Sequence, residues 1–185
     1  MSNRHTALLI VDAQESFRHM PYWSNEHLPA FCERLQTLAD GAVASGIVVA
    51  QIFHVEENTP FALDRGHVRV LEPLTIRADA VFHKRRHSAL VGSGLDVWLV
   101  EHGIRRLLVS GIRTEQCCET TTRHASDLGY AVDFVSEATL TFAMTDRAGR
   151  VHGADEIKAR SELVLEHRFA RIARVEEALA GDLVA

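Results

Sequence analysis

The chain reads as an α/β protein: a three-layer, Rossmann-like fold with a six-stranded, mainly parallel sheet and helices on both faces. Three observations lead there. Short continuous apolar runs, such as Ala7–Val11 and Leu107–Val109, have the pattern of parallel strands buried on both faces. Strand-like and helix-like stretches alternate along the chain, which implies right-handed crossovers around a parallel sheet. With 185 residues, 46% hydrophobic content and no interdomain linker, residues 1–185 read as a single domain with a sizeable core.

The elements follow in order. Thr6–Asp12 is the first strand, ending in an acid. A loop carries Phe17, Pro21, Tyr22 and Trp23. From Glu26 to Ser45 apolar residues fall at helical spacing (Leu28, Phe31, Leu35, Leu38, Ala42), and Gly46 is the stop signal. Ile47–Phe53 is the second strand, with His54, Glu56, Glu57 and Asn58 beyond its end. Thr59–Pro73 is irregular, with room for a short strand or helix at His67–Leu71. Ala80–His83 is the third strand and leads into Lys84-Arg85-Arg86-His87; a run of three cations ordinarily marks a solvated face, but its place at the carboxyl end of a strand favours a role for at least one of them. Ser88–Gly103 reads as loop and helix. Arg105–Gly111 is the fourth strand, Gln116–Leu128 its helix, Tyr130–Val135 the fifth strand. Glu137–His152 reads as a long loop, Ala154–Glu166 as a helix, Phe169–Ala173 as the sixth strand and Val175–Ala180 as a last helical turn or two.

A net charge of −5 argues against a dedicated nucleic-acid or anionic-membrane surface. Three cysteines, two of them adjacent and none in a CxxC, point to a reducing compartment. The N-terminal apolar segment is short and no cleavage site follows, so no signal peptide or membrane span is expected, and the cytoplasm is the expected location.

The stretch Val109-Ser-Gly-Ile-Arg-Thr-Glu-Gln-Cys-Cys118 carries the chemistry. A strand breaks at Gly111 and a helix opens with Thr114 as candidate N-cap and Glu115 in the first turn. A cysteine one turn inside lies near the positive end of the helix, where backbone N–H groups lower a thiol pKa and can hold an oxyanion. Cys117 and Cys118 are therefore candidate nucleophiles, against the plainer reading that both are small buried hydrophobes. Cys32, with no acid or base near it in sequence, is core filler. In a parallel sheet Asp12, Lys84 and Cys117 fall at one edge. There the carboxylate can take the thiol proton, and the ammonium can stabilise both anions.

Leu8-Leu-Ile-Val-Asp-Ala-Gln14, Phe82-His-Lys-Arg-Arg-His-Ser-Ala89 and Val109-Ser-Gly-Ile-Arg-Thr-Glu-Gln-Cys117 together resemble the three motifs of the isochorismatase-like cysteine hydrolase superfamily. The resemblance runs from about Thr6 to Phe169. It implies an Asp12-Lys84-Cys117 triad and a non-proline cis peptide at Ile112–Arg113. It also implies an oxyanion hole made by the backbone N–H groups of Arg113 and Cys117, and a homo-oligomer. Two departures stand out. Arg113 replaces a residue that is often small, and either meets an anionic substrate or turns to solvent. Gln51-Ile-Phe-His54 lacks the acid of the metal-binding stretch in nicotinamidases, so no metal is expected, and Asp12-Ala-Gln-Glu-Ser-Phe17 has no glycine for a phosphate loop, so no organic cofactor is expected. The implied activity is hydrolysis of a small amide through a thioester on Cys117. Asp12 serves as base, as acid for the leaving group and as activator of water, while Lys84 is its electrostatic partner. Isochorismate-type vinyl-ether hydrolysis and non-catalytic binding are the alternatives. Loops 13–24, 54–79 and 137–152 supply pocket walls, with Phe17, Trp23 and His54 as candidate lining residues around a small-molecule substrate.

Overall fold

The computed structural model describes residues 3–181; the expected domain bounds at 1 and 185 lie outside them. A six-stranded parallel sheet forms the middle layer, in the order β3-β2-β1-β4-β5-β8. Its strands are β1 (Thr6–Val11), β2 (Val48–His54), β3 (Ala80–Lys84), β4 (Arg106–Ile112), β5 (Ala131–Leu140) and β8 (Arg171–Ile172). Every residue of β1 and of β4 is buried, as central strands covered on both faces require. Alternation divides β1 between two cores. Leu8 and Ile10 join one apolar cluster, Ala7, Leu9 and Val11 the other.

Helices α1 (Leu28–Ala44) and α5 (Val175–Ala180) cover the first face; α2 (Leu95–Glu101), α3 (Glu119–Asp127) and α4 (Ala154–Leu165) cover the second. Pro29 lies in the first turn of α1, where its missing N–H costs nothing. Phe31, Leu35, Leu38 and Ala42 form the buried stripe, and the chain leaves the helix through Gly46 at φ 69°. Leu35 and Leu38 are fully buried, so truncating either to Ala would cost ~2–5 kcal/mol.

Three elements depart from the sequence reading. Strand β5 does not stop at Val135 but runs to Leu140. Its register jumps from Val109–Phe134 to Gly111–Thr139, so residues 135–138 bulge. The polar pair Ser136-Glu137 looks like a strand end. In the fold the Ser136 carbonyl accepts from Thr139 Oγ1 (2.7 Å), and Glu137 Oε1 accepts from the Val175 N–H (2.6 Å). The expected loop 137–152 therefore holds the end of β5 and a small antiparallel hairpin, β6 (Met144–Thr145) with β7 (Val151–His152). Third, the His67–Leu71 segment forms neither strand nor helix; it makes one isolated bridge, Val70 to Gln14.

Candidate active site

The strand order reverses between β1 and β4, the usual ligand edge of an open α/β sheet, and Lys84 at the end of β3 reaches the same carboxyl edge. Val11 pairs with Gly111, and His54 with Lys84. At Gly111 (φ 121°) the strands approach so closely that a Cβ would lie 1.8 Å from the Val11 carbonyl oxygen; only glycine fits. Just beyond, Asp12 turns the chain at φ 52°, with its N–H bonded to the Ile52 carbonyl (2.9 Å).

Asp12, Lys84 and Cys117 come together there. Lys84 Nζ lies 2.7 Å from Asp12 Oδ2 and 3.3 Å from Cys117 Sγ, and it also donates to the Arg86 carbonyl (3.0 Å). Asp12 and Lys84 are fully buried and Cys117 is 8% exposed. Burial raises the Asp12 pKa, with Lys84 opposing, so this carboxylate takes a proton more readily than a free one. Burial pulls Lys84 down, but Asp12 and Cys117 outweigh it, and the ammonium stays charged.

The thiol departs from expectation. Burial, with the Asp12 charge added, pushes the Cys117 pKa up, and Lys84 offsets only part of this. The helix does not begin as expected either. Residues Thr114–Cys118 form a wide π turn in which the Cys118 N–H reaches the Arg113 carbonyl (3.2 Å), and the α-helix starts at Glu119. Arg113, not Thr114, occupies the N-cap position; the Thr114 hydroxyl instead donates to Thr139 Oγ1 (2.8 Å). At the resting thiol, burial and the facing carboxylate thus outweigh the Lys84 charge. Cys118 is fully buried.

The Ile112–Arg113 peptide is cis. The Arg113 side chain, 7% exposed, neither turns to solvent nor stands free. Its Nη2 lies 2.9 Å from Glu115 Oε1, and the guanidinium sits 4.8 Å from the Tyr22 ring centre and 5.8 Å from that of Phe142. Thr141 Oγ1 donates to the other Glu115 oxygen (2.5 Å). Tyr22, Thr141 and Phe142 in turn line a cleft of about 430 Å³. Trp23 packs on Phe142 (5.3 Å between ring centres) under Arg18, while Phe17 lies in the core, edge-on to Phe61.

His54 Nδ1 lies 3.3 Å from Lys84 Nζ. Burial first, then the charges of Lys84 and His87, lower its pKa to about 4. The ring is therefore neutral near pH 7 and accepts from the ammonium at Nδ1. Gln14 fixes the backbone beneath it, with Oε1 accepting from the His54 N–H (2.7 Å) and Nε2 donating to the His54 carbonyl (3.1 Å). Neighbouring Ile52 is aliphatic and fully buried. The residues here do not fit a metal: one strand position offers no ligand atom, and the facing nitrogen of the other is engaged. Among the described residues no cluster of three His, Cys, Asp or Glu side chains could hold one.

Sequence reasoning passed over Gln14, Glu115, Phe142 and His87. Gln14 stands two residues past Asp12, in the same motif. His87, next to the run of three cations, carries no role in the sequence reading, yet its Nδ1 lies 3.9 Å from Cys117 Sγ.

The chain is similar to known proteins over most of its length. An isochorismatase domain model matches residues 6–173. The structure of a Chromobacterium violaceum protein assigned to the isochorismatase family of hydrolases superposes with a TM-score of 0.87 at 29% identity, over 97% of this chain and 94% of that one. An uncharacterised isochorismatase family protein of Bacillus subtilis, YrdC, is 25% identical over 96% of each chain. The ureidoacrylate amidohydrolase RutB of Variovorax paradoxus is 41% identical over a shorter region, 33% of this chain and 24% of that one. The six-stranded sheet, the chain-long domain match and the full-length structural likeness lead to one conclusion: this chain belongs to the isochorismatase family of hydrolases.

Proposed function

We infer that the protein is a cysteine hydrolase that cleaves the C–N bond of a small amide, with Cys117 as nucleophile. The observation that carries this reading is the contact of Cys117 Sγ with Lys84 Nζ at 3.3 Å, where Lys84 is itself paired to a buried Asp12 at 2.7 Å. Asp12 takes the thiol proton. Lys84, until then paired with the carboxylate, becomes the partner of the thiolate, so the buried site keeps one ion pair throughout. This exchange removes the Asp12 charge, which adds to burial in raising the thiol pKa at rest. The thiolate attacks the carbonyl carbon, the tetrahedral oxyanion is held by the N–H groups of Arg113 and Cys117, and loss of the amine leaves a thioester that water hydrolyses.

Likeness to a relative named an amidohydrolase supports the amide over other hydrolysable bonds. The raised pKa of Asp12 is the one observation that favours a second reading, protonation of a vinyl-ether carbon by Asp12. That chemistry leaves the thiol at 3.3 Å from Lys84 without a task.

A panel of small primary amides and ureido acids, scored by ammonia release, tests the reading. Release by the wild type and none by Cys117→Ala is expected. Turnover of vinyl ethers with no turnover of any amide would favour the second reading.

A further inference from the structure

We propose that His87 is a further catalytic group, which carries the proton on the substrate side of Cys117. The proposal rests on Cys117 being the nucleophile and extends that reading. Asp12 and Lys84, which face Sγ from within the sheet edge, have no exposed surface. His87 is exposed, and its Nδ1 lies 3.9 Å from Sγ. The sulfur therefore joins a buried ion pair to an imidazole that opens to solvent. Substrate must approach Cys117 from the open side, where the imidazole stands.

An exposed side chain is ordinarily loose, but the backbone on both sides of His87 is pinned. The Arg86 carbonyl accepts from Lys84 Nζ (3.0 Å). Ser88 Oγ bonds His124 Nδ1 (2.9 Å), and the Ala89 N–H donates to Thr121 Oγ1 (3.0 Å), both on α3. The helix that follows the nucleophile and the lysine that contacts it thus hold the segment carrying His87. The charged and titratable groups facing His87 are Cys117 from the π turn, Asp12 from β1 and His54 from β2, with Lys84 of β3 on the same sulfur. His54 cannot serve instead. It stays neutral down to about pH 4, and its Nδ1 is taken by Lys84.

The steps balance. The Sγ proton passes to Asp12, and Sγ bonds the carbonyl carbon. As the C–N bond breaks, imidazolium His87 gives its proton to the leaving nitrogen. Neutral His87 then takes a proton from water as its oxygen bonds the thioester carbon. The C–S bond breaks, and the thiolate recovers its proton from Asp12. One amide and one water become an acid and an amine, and every group returns to its starting state.

p-Nitrophenyl acetate separates the halves, because nitrophenolate leaves without needing a proton while deacylation still requires one to be taken from water. In His87→Gln the burst of nitrophenolate should persist. Steady-state release should fall about 100-fold, in the range of a lost general base. Added imidazole should restore part of the rate in His87→Ala, an effect that a merely structural residue would not show. A wild-type deacylation rate in His87→Gln, or no rescue of His87→Ala by imidazole, would overturn the proposal while leaving Cys117 as nucleophile. A burst that survives in Cys117→Ala, or no acyl group on wild-type Cys117, would overturn the nucleophile itself, and His87 with it.

Discussion

Lys84 Nζ and Asp12 Oδ2 stand 2.7 Å apart with neither side chain exposed. Removing one member of such a pair strands the other charge in the interior, at a cost of ~3–5 kcal/mol. Lys84→Ala should therefore lose both stability and most turnover. Lys84→Arg, which keeps the charge but moves it, should recover some of each. Ammonia release and urea unfolding on the two variants check this. A Lys84→Ala protein with wild-type turnover would be incompatible with an electrostatic role.

The two adjacent cysteines should behave differently. Cys117 touches Lys84 Nζ and retains some surface, whereas Cys118 is sealed in the core with its pKa raised well above normal by burial. Iodoacetamide at neutral pH should label Cys117 ahead of Cys118 and Cys32, as read by peptide mass. Cys118→Ala should stay within a few-fold of wild-type activity. Preferential labelling of Cys118 would reverse the assignment.

His54 sets a pH window for stability. Its folded pKa, about 4, lies below the unfolded value of ~6.5. Between those values the unfolded chain binds a proton that the folded state refuses. The stability present above ~6.5 is therefore lost progressively as pH falls toward about 4. Urea unfolding of wild type and His54→Gln across pH 7 to 4 should show the wild type losing more stability than the variant. Parallel curves would show that His54 is not the group responsible.

Gly111 tolerates no side chain. An added Cβ would meet Val11 backbone on the neighbouring strand, and φ 121° is unfavourable to any L residue. Gly111→Ala should destabilise by at least ~4 kcal/mol, in the severe class of single substitutions, as read from thermal unfolding by circular dichroism. A melting curve like that of the wild type would show that the two strands can part here.

A homo-oligomer is the expected solution state. Exposed apolar side chains are consistent with it, among them Leu163 at 77% and Val100 at 66%. Sedimentation should give a mass above the 20.6 kDa of one chain. A single 20.6 kDa species at micromolar concentration would contradict it.

Strands were legible where burial on both faces leaves an unbroken apolar run, as in Ala7–Val11 and Leu107–Val109. Their carboxyl ends placed Asp12, Lys84 and Cys117 at one edge before any coordinates. The end of β5 was hidden because Ser136 and Glu137 look like turn residues in one dimension; their partners, Thr139 and the Val175 N–H, are supplied by the fold. The thiol environment was misjudged for a similar reason. A helix end is visible in sequence, but the desolvation of Cys117 and the carboxylate across from it are not. Arg113 does not turn to solvent, because Glu115 and Tyr22, one close in sequence and one remote, enclose it. His87 was hidden in a cationic run whose first residue turns inward and whose last reaches back to Sγ.

The mass of the acylated enzyme tests Cys117 as the nucleophile. Wild-type protein turning over an amide that releases ammonia is quenched in acid, digested and mapped by mass spectrometry. An acyl group on the peptide carrying Cys117, absent from Cys117→Ala, is the expected result. An acyl group on Cys118, a borohydride-trapped adduct on Lys84, or undiminished ammonia release by Cys117→Ala would contradict it.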